Sequence, residues 1–164
     1  MGKADGMDPV PDTPSGRRVV VKIGTSSLTD ATGAIDSAAV AKVVAEVAEV
    51  RAAGVQVVAV TSGAIAAGLP VLGLSDRRPR DAVTLQAVSA VGQSRLMGEW
   101  DRHLARHGLI GGQVLLAPLD FGVRTQYLHA RDTLARLLDL GVVPVVNEND
   151  LIADDEIRFG DNDR

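Results

Sequence analysis

Several residue types and patterns are absent or scarce in this chain of 164 residues. It contains no cysteine, which excludes disulfides, thiolate zinc sites and cysteine nucleophiles. Only four residues are aromatic, so the core must be built from Val, Ala, Leu and Ile. No stretch reaches the roughly 20 apolar residues of a membrane span. We expect no membrane segment and, from the first residues, no secretory signal.

Lysine is also scarce, and the positive charges do not form a cluster in the sequence. The chain has three lysines (Lys3, Lys22 and Lys42) among 17 basic residues, and the arginines are scattered between acids. A nucleic-acid surface needs clustered basic residues to replace counterions on the phosphates. We therefore expect no nucleic-acid partner.

What is present indicates a soluble globular protein of about one domain. Hydrophobic residues make up 46% of the chain, and the formal net charge is −4. We interpret residues 1–17, with three prolines, as a disordered tail and residues 18–164 as the folded part. The last eighteen residues hold seven acids against two arginines, so negative charge is concentrated at that end.

Short apolar runs alternate with longer segments of helical periodicity. The runs have strand length and are continuously apolar, which is typical of strands buried on both faces of a parallel sheet. They occupy residues 18–24, 55–63, 112–118 and 142–150. The helical segments lie at 37–53 (with Asp36 or Ser37 as N-cap), 81–107 and 126–140. A glycine suited to a left-handed closing conformation follows each helix: Gly54, Gly108 and Gly141.

This alternation predicts βαβ units and an α/β fold with a parallel sheet. Four strong strands followed by polar residues are typical of part of a larger domain. In such a sheet, ligands bind outside the carboxyl ends of the strands. The residues that follow each strand are therefore the candidates for function.

The first strand ends with a lysine, a glycine and three hydroxyl residues, Lys22 to Ser27. One interpretation is a lysine whose stem covers apolar surface at a strand end. The other is a cation and backbone amides that hold a phosphate. The order of residues differs from the P-loop, because the lysine precedes the turn.

The second strand ends at Ser62-Gly63-Ala64, directly before an apolar helical stretch. These residues are either an ordinary helix cap or an anion site at the positive end of a helix dipole. The fourth strand ends in Asn147-Glu148-Asn149-Asp150, and a similar Gly-Asp-Asn-Asp group follows at 160–163. Such turns are either solvated loop starts or sites for an ammonium group or a divalent cation. From the residues alone, the site handles anions.

Six motifs in this order resemble glutamate 5-kinases, members of the amino acid kinase family. They are VVVKIGTSSLT, VVAVTSGAIAAG, AVGQSRLM, ARDTL, VPVVNEND and EIRFGDND. The resemblance runs from Arg18 to Arg164 and implies the parallel-sheet αβα sandwich of that family, represented by its amino-terminal, substrate-binding half. The nucleotide-binding half of the family is not represented in these residues.

The resemblance implies ATP-dependent phosphorylation of the γ-carboxylate of L-glutamate, the first step of proline synthesis, with Mg²⁺. It also implies a cytoplasmic homo-oligomer that proline inhibits. Catalysis would involve Lys22, Asp161 and Asp163, and ATP would contact Lys22, Gly24 and Thr25. Glutamate would contact Ser62, Gly63, Ala64, Asp150 and Asn162. No residue is assigned as a metal ligand.

The segment DFGVRTQYLHARDTL departs from the family pattern. The family usually has an Asp-Arg pair before the aromatic residue and an Asn at the position of His129. We interpret His129 as a helix-start residue rather than as a catalytic base. Two other functions remain open: a glutamate-binding or regulatory module without catalysis, and a kinase that uses another carboxylate or carbamate acceptor.

Overall fold

The computed structural model describes residues 16–151, apart from the side chain of Leu119. Four strands alternate with five helices in this range. In chain order the elements are β1 (Arg18–Ile23), a 3₁₀ turn (Thr25–Ser27), α1 (Ser37–Ala52), β2 (Gln56–Thr61), α2 (Ala64–Val71), α3 (Ala82–Arg106), β3 (Gly111–Leu116), α4 (Pro118–Gly122), α5 (Arg124–Asp139) and β4 (Val143–Glu148). None of these helices combines the length and the apolar character that crossing a membrane requires.

The four strands form one sheet in the order β1-β2-β4-β3, and every pair is parallel. The predicted α/β class and the four predicted strands are therefore confirmed. Each strand has six residues, one to three fewer than its apolar run. The carboxyl ends of all four strands lie along one edge of the sheet, which we call the rim.

Two helices begin directly after aspartate residues that cap them. The carboxylate of Asp36 accepts a hydrogen bond of 2.8 Å from the amide of Ala38 at the start of α1. Asp81 does the same at the start of α3, with 2.8 Å to the amide of Thr84. The glycines that follow α1, α3 and α5 have φ angles of 78°, 68° and 79°, as the sequence predicts.

The two faces of the sheet are covered to different extents. On one face, side chains of α1 and α3 pack with β2 and β4 in a large apolar cluster that contains Trp100. On the other face, a smaller cluster joins Leu134 and Leu138 of α5 to residues of β2, β3 and β4. The sheet therefore has a thick side, built on α1 and α3, and a thin side, built on α5.

The prediction that the strands are buried on both faces is wrong for β1. Val20 is 63% exposed and Val19 is 41% exposed. The reason is position, because β1 is an edge strand and the cluster beneath α5 draws on β2, β3 and β4. Only the side of β1 that carries Val21 and Ile23 joins the large core.

Helices α2 and α3 touch through their backbones. A Cβ atom at Gly92 would lie 1.7 Å from the carbonyl oxygen of Ala64, and one at Gly68 would lie 2.1 Å from that of Val88. Only glycine fits at such distances, so both positions are required by packing. The contact holds the middle of α3 directly against the first residue of α2, at the rim.

Candidate functional site

The ends of β1, β2 and β4 are neighbours along the rim. Ile23 is paired in register with Thr61, and Val60 is paired with Val146. The residues that follow these strands therefore come together although they are remote in the chain. This arrangement brings the candidate residues within the described range, from Lys22 to Asp150, to one edge of the sheet.

The turns after β1 and β2 are joined by a hydrogen bond. The hydroxyl oxygens of Thr25 and Ser62 lie 2.9 Å apart. Ser62 is buried, at 7% exposure, while Thr25 is exposed. The hydroxyl of Thr25 thus orients that of Ser62 from the open side of the rim.

The turn between β2 and α2 depends on Gly63. Its φ of 106° lies in the left-handed region, and a Cβ there would be 3.2 Å from Cδ1 of Ile35. Among the described residues, no side chain caps the amino terminus of α2, which begins at Ala64. The first amides of α2 therefore offer donors at the positive end of the helix, an arrangement that favours an anion.

The end of β4 is held by two polar side chains of α3. Nδ2 of Asn147 donates to Oε1 of Gln93 over 2.7 Å, with both side chains buried. The hydroxyl of Ser89 donates a short hydrogen bond to Oδ2 of Asp150. The turn is also tied to β3, because the amide of Asn149 donates to the carbonyl of Leu116 over 2.8 Å.

Two carboxyl groups of this turn have raised pKa values. Burial raises the pKa of Asp150, and the hydrogen bond from Ser89 partly opposes that increase. Burial also raises the pKa of Glu148, and the nearby charge of Asp150 raises it further. The carboxylate of Asp150 is thus partly desolvated, which strengthens its attraction to a cation.

Lys22 is exposed and lies on the opposite face of the sheet from α3. Its register partner is Val60, which packs in the thin-side cluster beneath α5. Side chains of paired residues in a parallel sheet point to the same face. Lys22 therefore shares the rim with Ser62 and Asp150 but starts from the other side of the sheet.

Gly24 follows β1 in an ordinary extended conformation, with φ −73° and ψ 160°. A Cβ at this position would meet no atom of residues 16–151 within 4 Å. Neither backbone strain nor packing within the described residues requires a glycine here. The open space beside Gly24 fits close approach of a ligand to the backbone.

The segment that departs from the family pattern lies after β3. Its first turn is held by Asp120, whose Oδ2 accepts a hydrogen bond of 2.7 Å from the amide of Ala117. Phe121 and Tyr127 are exposed, at 64% and 46%. The interpretation of His129 as a helix-start residue is wrong, because α5 begins five residues earlier, at Arg124.

Several predicted residues lie outside the described range. They are the tail at 1–15 and three candidate site residues, Asp161, Asn162 and Asp163. Within residues 16–151, no group of three or more His, Cys, Asp or Glu side chains is arranged to hold a metal ion.

Sequence reasoning missed Ser89 and Gln93, which contact the end of β4 most directly. Gln93 lies within the motif AVGQSRLM and Ser89 directly precedes it, but the resemblance implies no role for either. A signal was available, because they are four residues apart on a helix face that also carries Leu85, Leu96 and Trp100. Polar residues on a buried helix face need partners, and here the partners are at the rim.

Comparisons with known proteins place the chain among its relatives. Residues 17–164 match the model of the amino acid kinase family. Glutamate 5-kinase of Salinispora arenicola (strain CNS-205) is 56% identical over 148 residues, 90% of this chain and 40% of the relative. That of Ralstonia nicotianae (strain ATCC BAA-1114 / GMI1000) is 52% identical over 147 residues, 90% of this chain and 39% of the relative. The chain thus spans about two fifths of the length of these curated relatives.

Proposed function

The chain belongs to the amino acid kinase family, and on that premise we propose that the complete protein is a glutamate 5-kinase. It would transfer the γ-phosphoryl group of ATP to the γ-carboxylate of L-glutamate, the first step of proline synthesis. The names of the relatives support this choice of acceptor. The observation that carries it is a partly buried carboxylate, Asp150, on the same rim as the uncapped amino terminus of α2.

These two features match the two ends of a glutamate molecule. The carboxylate of Asp150 would bind the α-ammonium group, because a desolvated anion attracts a cation strongly. Asn162 would assist at that end. Ser62 and the amides of Gly63 and Ala64 would bind a carboxylate of the substrate at the positive end of α2.

The end of β1 would serve the phosphates. Lys22 carries its charge on a flexible four-carbon stem, which lets the ammonium group reach the rim from the thin side. Gly24 and Thr25 would let the triphosphate approach the backbone. An oxygen of the γ-carboxylate attacks the γ-phosphorus, the bond from that phosphorus to the β-phosphate oxygen breaks, and ADP leaves. Lys22 stabilises the charge that develops on the transferring oxygens.

Mg²⁺ would be carried mainly by the phosphate oxygens of ATP, as is usual for this ion. We assign the ordering of the metal-bound phosphates to Asp161 and Asp163, as the resemblance to glutamate 5-kinases implies. These two residues lie beyond the described range.

The activity is proposed for the complete protein, because the chain covers about two fifths of the length of its relatives. We also propose a cytoplasmic homo-oligomer that proline inhibits. The alternative of a glutamate-binding module without catalysis predicts a different result, namely binding of L-glutamate without turnover of ATP.

A coupled assay of ADP release tests the proposal. The complete protein is offered L-glutamate, N-acetylglutamate, aspartate or carbamate at equal concentration, with ATP and Mg²⁺. We expect turnover with L-glutamate to exceed that with N-acetylglutamate or carbamate by at least about 100-fold, because these two lack the α-ammonium group and would leave Asp150 unpaired. Aspartate has the same charges but is one methylene shorter, so we expect it to be poorer by about 10-fold or more. Faster turnover with another acceptor would show that the proposed substrate is wrong. If calorimetry detects binding of glutamate but the assay detects no turnover, the glutamate-binding module is favoured.

A further inference from the structure

The face of α3 that lies against the core carries two polar residues. Ser89 is 3% exposed and Gln93 is 8% exposed, and Leu85, Val88 and Leu96 are buried on the same helix. A hydroxyl and an amide on such a face cost free energy unless they form hydrogen bonds. Both form them with the same segment, the polar end of β4.

The position of this face is fixed independently of those hydrogen bonds. Gly92 lies between Ser89 and Gln93 and touches the backbone of Ala64 so closely that no side chain fits. Two large side chains of α3, Leu96 and Trp100, are fully buried in the main core. α3 is therefore a rigid support, and a donor placed on it has a defined position.

We propose that Ser89 is a positioning residue for substrate binding, holding the carboxylate of Asp150 through Oδ2 so that Oδ1 faces the ammonium group of the acceptor. This inference rests on the proposed function, and it adds a residue that contacts no substrate itself. Gln93 supports the same segment three residues earlier, through Asn147.

The hydrogen bond also favours the charged form of the carboxylate. Burial raises the pKa of Asp150 and Ser89 lowers it. Glu148 is the acidic neighbour on the same turn, and its pKa is raised in part by Asp150. α3 presents uncharged groups, Ser89 and Gln93, to this turn. Loss of the Ser89 hydroxyl would therefore raise the pKa of Asp150 further.

The first test compares Ser89→Ala with wild type in the complete protein. We expect KM for L-glutamate to rise about 10-fold and kcat to change less than about two-fold, because a hydrogen bond to a charged group is lost. The acid limb of the profile of kcat/KM against pH should move to higher pH. Ser89→Cys has a side chain of similar shape whose thiol is only a weak hydrogen-bond donor, so its KM and pH profile should change in the same direction.

Ser94→Ala is the matched control. Ser94 is exposed on the same helix, and its hydroxyl donates to the carbonyl of Val91 over 3.0 Å. This variant removes the same group from α3 without touching the rim. Its KM and pH profile should equal those of wild type.

A double-mutant cycle separates positioning from general structure. In an Asp150→Ala background, Ser89→Ala should change KM by less than about two-fold, because its effect acts through the carboxylate. An equal 10-fold effect in both backgrounds would contradict the proposal, as would a Ser89→Ala enzyme with the kinetics of Ser94→Ala. If wild type does not phosphorylate glutamate at all, the proposed function fails and this role fails with it.

Discussion

The ends of β4 and β1 lie on the same rim but are built differently. At the end of β4, polar side chains that are buried or partly buried are held by α3: Asn147 by Gln93, and Asp150 by Ser89. At the end of β1, Lys22 and the hydroxyl residues Thr25 to Ser27 are exposed. One end is held in place by hydrogen bonds to α3, while the groups of the other end lie at the exposed surface of the rim.

This difference fits the two halves of the proposed reaction. A small acceptor is best bound by groups that do not rearrange, since ordering them would cost affinity. A nucleotide phosphate brings its own charge and metal ion and can organise exposed groups when it binds. We therefore interpret the end of β4 as the acceptor side and the end of β1 as the phosphate side.

The largest effect is expected from Lys22→Ala. In the complete protein kcat should fall about 100-fold or more, as on removal of one donor that stabilises a transition state. The melting temperature should change little, because this exposed side chain lies outside both core clusters. Lys42→Ala, which removes an exposed lysine from α1, is the control. Equal activity of the two variants would show that the β1 end has no catalytic role.

Gly92→Ala should disrupt the packing of α3 against α2 and so weaken the helix that holds the end of β4. The new methyl group would lie 1.7 Å from the carbonyl oxygen of Ala64, so α2 and α3 must separate, at about 3 kcal/mol or more in stability. Thermal unfolding measures this loss. Gly98→Ala is the matched control, because its Cβ would meet no atom within 4 Å.

Gly98→Ala should raise stability by about 0.5–1 kcal/mol, the usual preference for alanine over glycine inside a helix. If Gly92→Ala were as stable as Gly98→Ala, the close contact between α2 and α3 would be disproved.

Asp150→Ala tests the acceptor side in kinetics. We expect KM for L-glutamate to rise about 30-fold or more, with a smaller effect on KM for ATP, since a charge-assisted contact to the substrate is lost. Asp76→Ala, which removes an exposed acid from the loop before α3, is the control. If KM for ATP rose more than KM for L-glutamate, the assignment of the β4 end to the acceptor and of the β1 end to the phosphates would be contradicted.

Asp150→Asn tests whether the buried charge costs stability. The pKa of Asp150 is raised above 3.8, so the folded state binds its proton more tightly than the unfolded state does. Stability is therefore lost as pH rises through the folded pKa. The asparagine variant should melt higher than wild type at pH 7, and this gain should vanish below pH 3.8.

Calorimetric scans of the complete protein across this pH range measure the difference. Asp76→Asn, at an exposed position, should show no comparable gain. A lower melting temperature for Asp150→Asn at pH 7 would contradict the account.

The smallest effect on stability is expected from Gly24→Ala. Its backbone is extended and the space around its Cβ is open, so the free energy of unfolding should change by less than about 0.5 kcal/mol. KM for ATP should nevertheless rise, because the methyl group would stand where the phosphates approach. Unchanged ATP kinetics would remove Gly24 from the phosphate site.

Much of the fold follows from local sequence. Continuous apolar runs predict the strands, and Asp36 predicts the start of α1, because these signals act within a few residues. The exposure of β1 could not be predicted locally. It depends on the order of strands in the sheet and on which of them α5 covers.

The candidate site also has features that the sequence predicts and features that it does not. The rim position of Ser62 and Asp150 follows from the rule that parallel strands deliver their ends to one edge. The bond between Ser89 and Asp150 joins residues 61 positions apart. It depends on how α3 lies against β4, which no local pattern contains. The side of the sheet from which Lys22 extends likewise required the register of β1 with β2.

The central claim is that the end of β4 binds the acceptor and the end of β1 binds the phosphates. The most direct test is a crystal structure of the complete protein with L-glutamate and a non-hydrolysable ATP analogue. We predict the α-ammonium group about 3 Å from the carboxylate of Asp150, the normal length of a charge-assisted hydrogen bond. The γ-phosphate should lie against the turn at Gly24 and Thr25. Glutamate bound away from Asp150, or phosphates bound at the end of β4, would contradict the account.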